Sequence, residues 1–105
     1  MRIISFSKMW DKLNKDKFTT FRYPRKDKDW ESGEKVQVYF KNRTPERNKL
    51  GIAEIVSKQP KLINDITEEE AVEDGFNNSF EMWLFLKEPS SETLINKLTL
   101  KWIER

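Results

Sequence analysis

The pattern of apolar and polar positions along the chain predicts five β-strands. It is clearest over residues 36–41, where every second side chain is apolar, as expected of a strand with one buried face. The other four strands are predicted at residues 3–6, 18–23, 50–57 and 98–103. Pro24 ends the second strand, and a loop that contains Pro45 joins the third and fourth strands as a hairpin.

Short helices are predicted between these strands. Ser7 is placed to cap a helix that runs to about residue 14. Thr67 and Glu70 form a capping-box pattern at the start of a second helix, which ends at Gly75.

Asn78 is placed to cap a third helix, which stops before Pro89. Its apolar stripe is expected to pack into the core and consists of Phe80, Trp83, Leu84 and Phe85. The resulting order β-α-β-β-β-α-α-β predicts a single small α+β domain over residues 1–105, with a sheet of about five strands that curls toward a barrel.

The composition excludes several kinds of chemistry. The chain has no histidine and no cysteine, which rules out imidazole catalysis, thiolate nucleophiles, disulfides and the common zinc sites. Helix capping and the helix dipole explain the acidic residues 68–74, so we predict no metal and no cofactor. No apolar run is long enough to span a bilayer or to form a signal peptide, so we expect a cytoplasmic protein without a membrane partner.

Charge is distributed unevenly, although the net charge is only +2. Residues 1–61 carry 16 Lys and Arg against 8 Asp and Glu, a net charge of +8. Residues 62–105 carry 4 against 10, a net charge of −6. Such asymmetry is typical of a basic face that meets an anionic partner, of which nucleic acid is the usual one. The alternative is a dipolar surface that meets no partner.

Two basic segments, both predicted as loops, are candidates for that face. The first interleaves basic and aromatic side chains, which are Arg22, Tyr23, Arg25, Lys26, Lys28 and Trp30. The hairpin loop and its borders add Lys41, Arg43, Arg47 and Lys49. Such mixtures bind single-stranded nucleic acid, because cations follow the phosphates and rings stack on the bases. The alternative is a solvated loop with Tyr23 and Trp30 folded back into the core.

Three segments follow one another in an order that is similar to one protein family. They are Lys-Phe-Thr-Thr-Phe-Arg over residues 17–22, Ser-Gly-Glu-Lys-Val-Gln-Val over residues 32–38, and residues 66–76, which end in Asp-Gly-Phe. In this order and spacing the chain resembles the ASCH family, a branch of the PUA-like superfamily, over essentially its whole length. The resemblance implies a small β-barrel with helices flanking a cleft.

The resemblance also implies a role with nucleic acids, because PUA-like domains commonly bind RNA. We therefore expect an RNA- or nucleotide-binding domain with a basic cleft. Some ASCH-like proteins are ribonucleases, and one group consists of amidohydrolases that deacetylate acetylcytidine with a Lys, a Thr and a Glu. On this chain the catalytic positions fall on Lys17, Thr20 and Asp74, and the arginine of the motif falls on Arg22.

The chain departs from that catalytic pattern in two places. Asp74 stands where the enzymes carry Glu, so its carboxylate is set back by about one methylene, and a misplacement of roughly 1 Å costs about a hundredfold in rate. Phe18 stands where they carry a polar Thr. An enzyme in the same cleft is therefore the alternative to a binding domain.

Strand alternation gives an independent view of residues 17–22. Thr20 and Arg22 share one face, whereas Lys17 has the other parity and joins them only from the turn before the strand. Arg22 offers a planar fork for a phosphate or a carboxylate. The alternative is structural, with Lys17 solvated, Thr20 a β-former and Arg22 paired with an acid such as Asp74. A protein-interaction domain is a third class that these residues allow.

Overall fold

The structure is a computed structural model that describes all 105 residues. It contains five strands, which are β1 (Arg2–Phe6), β2 (Lys17–Arg22), β3 (Lys35–Phe40), β4 (Asn48–Leu62) and β5 (Leu94–Glu104). Two α-helices, α1 (Glu68–Asp74) and α2 (Ser79–Phe85), lie between β4 and β5. This confirms the predicted α+β class and the number of strands. Neither helix is long and apolar enough to cross a membrane.

The five strands form one mixed sheet in the order β1-β3-β4-β5-β2. β1 runs parallel to β3, and the other neighbours are antiparallel. No backbone ladder joins the edge strands β1 and β2, so the sheet is not a closed barrel. Side chains nevertheless connect the two edges. Arg22 Nη2 of β2 donates to the Ser5 carbonyl oxygen of β1 at 2.9 Å, and the ring centroids of Phe6 and Phe18 are 6.1 Å apart.

β4 and β5 are longer than the sequence pattern predicts. β4 continues to Leu62 and β5 begins at Leu94, and these two residues face each other at the end of the shared ladder. The added part of β4, residues 58–62, contains Pro60 and two lysines and shows no alternation of apolar and polar side chains. Pairing with β5, a contact between distant segments, therefore makes this part a strand, whereas its local pattern does not.

The helix boundaries are confirmed where capping side chains determine them. Thr67 Oγ1 accepts from the Glu70 amide at 3.1 Å, and the Glu70 carboxylate accepts from the Thr67 amide at 3.0 Å, which completes the capping box. Gly75 ends α1 in the left-handed conformation, with φ +117°. Asn78 caps α2 through its side chain.

Two predictions about helices are wrong. Ser7 caps no helix, because the segment after β1 forms only the short 3-10 turn Asp11–Asn14, which has no side-chain cap. The apolar stripe of α2 is not core: Phe80 is 63% and Phe85 is 52% exposed, and Met82 is the buried residue instead. The helix has seven residues and buries Met82, whereas Phe80, Leu84 and Phe85 remain exposed.

The core draws side chains from all five strands. Its largest fully buried apolar side chains are Ile4, Val36, Val38, Ile55, Ile95, Leu98 and Leu100, and β2 contributes the buried rings of Phe18 and Phe21. α1 packs against β2 and against α2. This packing brings the end of α1 close to the end of β2, and the candidate site lies there.

Candidate functional site

A cleft of about 650 Å³ opens where the ends of β1 and β2 approach the helices. The loop between β3 and β4, residues 41–47, forms part of its rim. The volume falls within the usual range for small-molecule sites. The charged side chains in its lining are Lys12, Arg22, Lys41, Arg43, Glu46 and Asp74, and Thr20 and Tyr23 add hydroxyl groups.

One wall of the cleft is aromatic. The ring centroid of Trp10 lies 5.0 Å from that of Phe76 and 5.8 Å from that of Phe85, and the latter two are 5.2 Å apart. Gly75 permits this packing, because a Cβ at its position would lie 2.7 Å from the Trp10 ring. Phe85 is half exposed, so its ring is accessible to a flat ligand.

Lys12 and Asp74 form a buried ion pair in the cleft. Lys12 Nζ donates to Asp74 Oδ1 at 2.9 Å, and the two side chains are only 4% and 7% exposed. Thr19 Oγ1 donates to the same oxygen at 3.5 Å. Lys12 comes from the 3-10 turn before β2 and Asp74 is the last residue of α1, so the pair joins segments that are far apart in the sequence.

Burial shifts the pKa of both members of this pair. It lowers the pKa of Lys12, against the opposing effect of the Asp74 charge, and it raises the pKa of Asp74, against the opposing effect of Lys12. The surroundings thus disfavour both charged forms, and the contact between the two groups favours them. Opposed shifts of this kind in a cleft are frequent where groups exchange protons or bind polar ligands.

Arg22 lies at the end of β2 and points into the cleft. Its Nε donates to Thr20 Oγ1 at 3.2 Å, and its Nη2 donates to the Ser5 carbonyl oxygen at 2.9 Å. The guanidinium carbon lies 4.8 Å from the centroid of the Phe6 ring. Burial lowers the pKa of Arg22 to about 10, although the negative charge of Asp74 acts in the other direction. Arg22 therefore keeps its positive charge at neutral pH.

The rim carries two further cations. Lys41 Nζ pairs with the Glu46 carboxylate at 3.0 Å within the loop 41–47. Arg43 lines the cleft and makes no ion pair with the protein. Tyr23 borders the cleft on the other side, and its hydroxyl donates to the Leu86 carbonyl oxygen at 3.2 Å.

Lys17 lies apart from the residues with which the resemblance groups it. It is exposed at the first position of β2, opposite Lys101, and does not line the cleft. Arg22 lies five positions further along, which is about 16 Å along a strand and places the two side chains on opposite faces. The structure brings Thr20, Arg22 and Asp74 to the cleft, and the lysine beside Asp74 is Lys12.

The predicted binding residues after β2 also lie outside the cleft, which Arg25, Lys26, Lys28 and Trp30 do not line. Arg25 pairs with Asp27 at 3.2 Å, and Lys28 pairs with Glu31 at 4.0 Å. Trp30 is only 4% exposed, so its ring cannot stack on a base. Its position in the core corrects the expectation that it contacts a ligand. Arg2 covers this ring, with the guanidinium carbon 4.4 Å from its centroid.

Of the predicted residues on the hairpin loop, Lys41 and Arg43 line the cleft, and Arg47 does not. The Arg47 guanidinium lies over the Tyr39 ring, 4.6 Å from its centroid. Arg47 is therefore held at the outer end of the loop, and Arg43 is the arginine of this loop that faces the cavity.

The sequence interpretation did not single out Lys12 or the aromatic wall. Lys12 lies between Asp11 and Leu13 in a segment with no motif, so only its contact with Asp74 distinguishes it from a solvated lysine. The sequence pattern places Phe85 in the core together with the rest of the apolar stripe of α2. The nearest usable signal was the Asp-Gly-Phe element, because Gly75 and Phe76 both contact Trp10.

No group of three or more acidic side chains in the structure could hold a metal ion. Comparison of the chain with protein-family models, curated proteins and solved structures finds no match.

Proposed function

We propose that this chain is an RNA- or nucleotide-binding domain that takes a nucleobase into the cleft, as the resemblance to the ASCH family suggests. The observation that carries the proposal is the combination of an accessible aromatic wall with cationic side chains in one cavity of about 650 Å³. The contact of Arg22 with Ser5, which links the two edge strands, supports the barrel-like arrangement that the family implies.

The aromatic wall suits a flat ring. Trp10, Phe76 and Phe85 contact one another, and Phe85 remains half exposed. Stacking of a base on an aromatic side chain contributes about 1–3 kcal/mol and tolerates any base. A nucleobase against Phe85 would therefore gain binding energy without a demand for a particular sequence.

The charges suit the backbone of a nucleotide. Arg22 lies in the cleft and Arg43 at its rim, and neither is neutralised by a carboxylate of the protein. Arginine presents a planar set of donors that matches phosphate geometry. A nucleotide with its base at the aromatic wall would place its phosphate near these side chains.

Two phenylalanines on α2 provide a matched test. Phe85 lines the cleft, whereas Phe80 is similarly exposed on the same helix but does not line it. We expect Phe85→Ala to weaken the binding of short fluorescent RNAs about tenfold, because a stacking contact of about 1–3 kcal/mol is lost. Phe80→Ala should leave the affinity within about twofold, a change of no more than about 0.4 kcal/mol.

The same anisotropy titration should show a strong effect of salt. Between about 50 mM and about 200 mM salt we expect roughly a tenfold loss of affinity if two or three phosphates are contacted. Absent or salt-independent binding, or equal effects of the two phenylalanine substitutions, would contradict the proposal.

The second candidate is an enzyme in the same cleft, either an amidohydrolase on an acylated nucleobase such as acetylcytidine or a ribonuclease. The observation that favours it is the opposed pKa shifts of Lys12 and Asp74 in a cleft that also holds Thr20. Asp74 would transfer protons, Thr20 would position the substrate, and Lys12 would occupy the role that the resemblance gives to Lys17.

Incubation with acetylcytidine separates the two lysines. Turnover to cytidine should fall at least about a hundredfold in Asp74→Asn, since general acid–base groups contribute roughly that much. Lys17→Ala should retain full activity, because Lys17 lies outside the cleft. Circular dichroism would check that both variants fold. Full activity in Asp74→Asn, or no activity in the native chain, would leave the binding domain as the function.

A further inference from the structure

The charged side chains of the cleft do not balance. Four cations line it, Lys12, Arg22, Lys41 and Arg43, and two acids, Glu46 and Asp74. Each acid is engaged by a lysine: Asp74 pairs with Lys12 at 2.9 Å and Glu46 pairs with Lys41 at 3.0 Å. The two arginines are left without a carboxylate partner, so the cleft carries a net charge of +2.

Arg22 is the more confined of these arginines. Two of its nitrogens are bonded, Nε to the Thr20 hydroxyl and Nη2 to the Ser5 carbonyl oxygen, and both acceptors are neutral. Its Nη1 has no partner in the protein. The ring of Phe6 lies against the guanidinium. A partly buried cation in such a place is ordinarily compensated by an anion, because the loss of hydration is costly.

The bonds of Arg22 also hold it in place. Thr20 and Ser5 belong to the two edge strands, so the guanidinium is anchored on both sides of the opening between them. An anchored planar fork loses little conformational entropy when it binds an oxyanion. The Arg22 guanidinium thus already has, before a ligand binds, the orientation in which it would contact an oxyanion.

We propose that Arg22 is the oxyanion receptor of the cleft, with Arg43 as a second contact at the rim, and that the ligand carries a phosphate or carboxylate group bound by Arg22. The identification of the ligand as a nucleotide rests on the proposed function, and the oxyanion is then the phosphate of that nucleotide. The assignment of Arg22 as an oxyanion receptor rests only on the unbalanced charges of the cleft and on the contacts of Arg22.

Calorimetric titration of the full chain with cytidine and with cytidine 5′-monophosphate tests the proposal directly. We expect the nucleotide to bind at least about tenfold more tightly than the nucleoside, since a charge-assisted pair contributes about 1.5–3 kcal/mol. Inorganic phosphate should compete with the nucleotide. Acetate in a parallel titration distinguishes a carboxylate ligand from a phosphate ligand.

Substitution of the arginines locates the effect. Arg22→Lys keeps the charge but removes the fork, and it should reduce the preference for the nucleotide about tenfold. Arg25→Lys is the matched control, because Arg25 lies outside the cleft and is paired with Asp27. If Arg22→Lys fails to fold, Arg43→Gln provides the second variant, and it should lower the preference about threefold without a change in melting temperature.

The outcomes separate this inference from the proposed function. Equal binding of nucleoside and nucleotide, with no competition by phosphate, would overturn the oxyanion receptor and leave nucleobase binding intact. Binding of phosphate or acetate that depends on Arg22, without binding of either cytidine compound or of RNA, would support the receptor and overturn the proposed function.

Discussion

The two basic loops of this protein look alike in sequence and differ in the structure. The first basic loop, residues 23–34, joins β2 to β3, and the second basic loop, residues 41–47, joins β3 to β4. The cations Arg25 and Lys28 of the first loop pair with acids of the same loop. The second loop has one such pair, between Lys41 and Glu46, and leaves Arg43 unpaired at the cleft.

Asp29 explains why the first loop is structural. Its carboxylate accepts from the amides of Trp30 and Arg25, from Asn96 Nδ2 at 2.9 Å, and from Lys58 Nζ at 2.9 Å. Asn96 is almost fully buried in β5. These bonds tie the loop to β4 and β5 and hold Trp30 in the core.

The comparison shows that basic and aromatic composition alone does not identify a binding surface. What matters is whether the acids of the protein already neutralise the cations and whether the rings are buried. In the first loop Arg25 and Lys28 are paired and Trp30 is buried, which leaves Lys26 without an ion pair and Tyr23 as the one exposed ring. In the second loop a cation remains available beside a cavity, and the predicted binding role is proposed for this loop alone.

The largest expected difference between the loops concerns stability. Asp29→Ala should lower the free energy of unfolding by about 2–3 kcal/mol, because the amide of buried Asn96 and the Lys58 ammonium lose their shared partner. Glu46→Ala in the second loop should cost less than about 0.5 kcal/mol, since its pair with Lys41 is exposed. Urea denaturation measures both, and similar losses would show that the first loop is not specially anchored.

A smaller difference between the loops is expected in ligand binding. Two triple variants, one in each loop and with the same change in charge, measure this difference. Neutralising Lys41, Arg43 and Arg47 with glutamine should weaken RNA binding about thirtyfold, or about 2 kcal/mol. Replacing Arg25, Lys26 and Lys28 with glutamine should lower the affinity less than about threefold, apart from the salt-dependent loss that any reduction of positive charge causes. A larger effect of the second variant would reverse the assignment of the two loops.

The smallest effect is a dependence of stability on pH that originates in the first loop. Burial opposes the ionisation of Asp29, but hydrogen bonds from Lys58, from the Trp30 and Arg25 amides and from Asn96 outweigh it and lower its pKa to about 2. A carboxylate with a lowered pKa stabilises the folded state above its unfolded pKa of about 3.9, and this contribution is lost as the pH falls toward 2.

Urea denaturation at several pH values between about 5 and about 2 measures this contribution. Between these pH values the free energy of unfolding of Asp29→Asn should fall by about 1 kcal/mol less than that of the native chain. The difference is small because the Asp29 carboxylate is partly exposed and screened by solvent. Identical pH profiles for the two proteins would show that Asp29 is not responsible. Asp65→Asn is a suitable control, because it removes an acid that has neither a salt bridge nor a side-chain hydrogen bond.

The features that were predictable from the sequence are those that neighbouring residues determine. Alternation over residues 36–41 predicts β3, and the spacing of Thr67 and Glu70 predicts the capping box, because a side chain reaches an amide only three residues away. The shared face of Thr20 and Arg22 follows from strand geometry in the same way. Each of these statements depends on a few consecutive residues.

Other features depended on contacts between distant residues. The added length of β4 requires β5 as a partner, and the buried Trp30 follows Asp29, which accepts a hydrogen bond from Asn96 of β5. Burial in the folded protein lowers the pKa of Lys12, and the end of α1 brings Asp74 against it, which acts in the opposite direction. No local pattern could have distinguished Lys12 from the exposed Lys17.

The sequence by itself therefore determined the α+β class, the number of strands, the caps of α1 and α2 and the shared face of Thr20 and Arg22, since local geometry decides them. Only the tertiary structure decided which lysine joins the cleft, which basic loop borders it and which arginines are left without a carboxylate. The physical reason is that burial and charge compensation are properties of the folded arrangement. The same charged residue is solvated, paired or available according to which distant side chain packs against it.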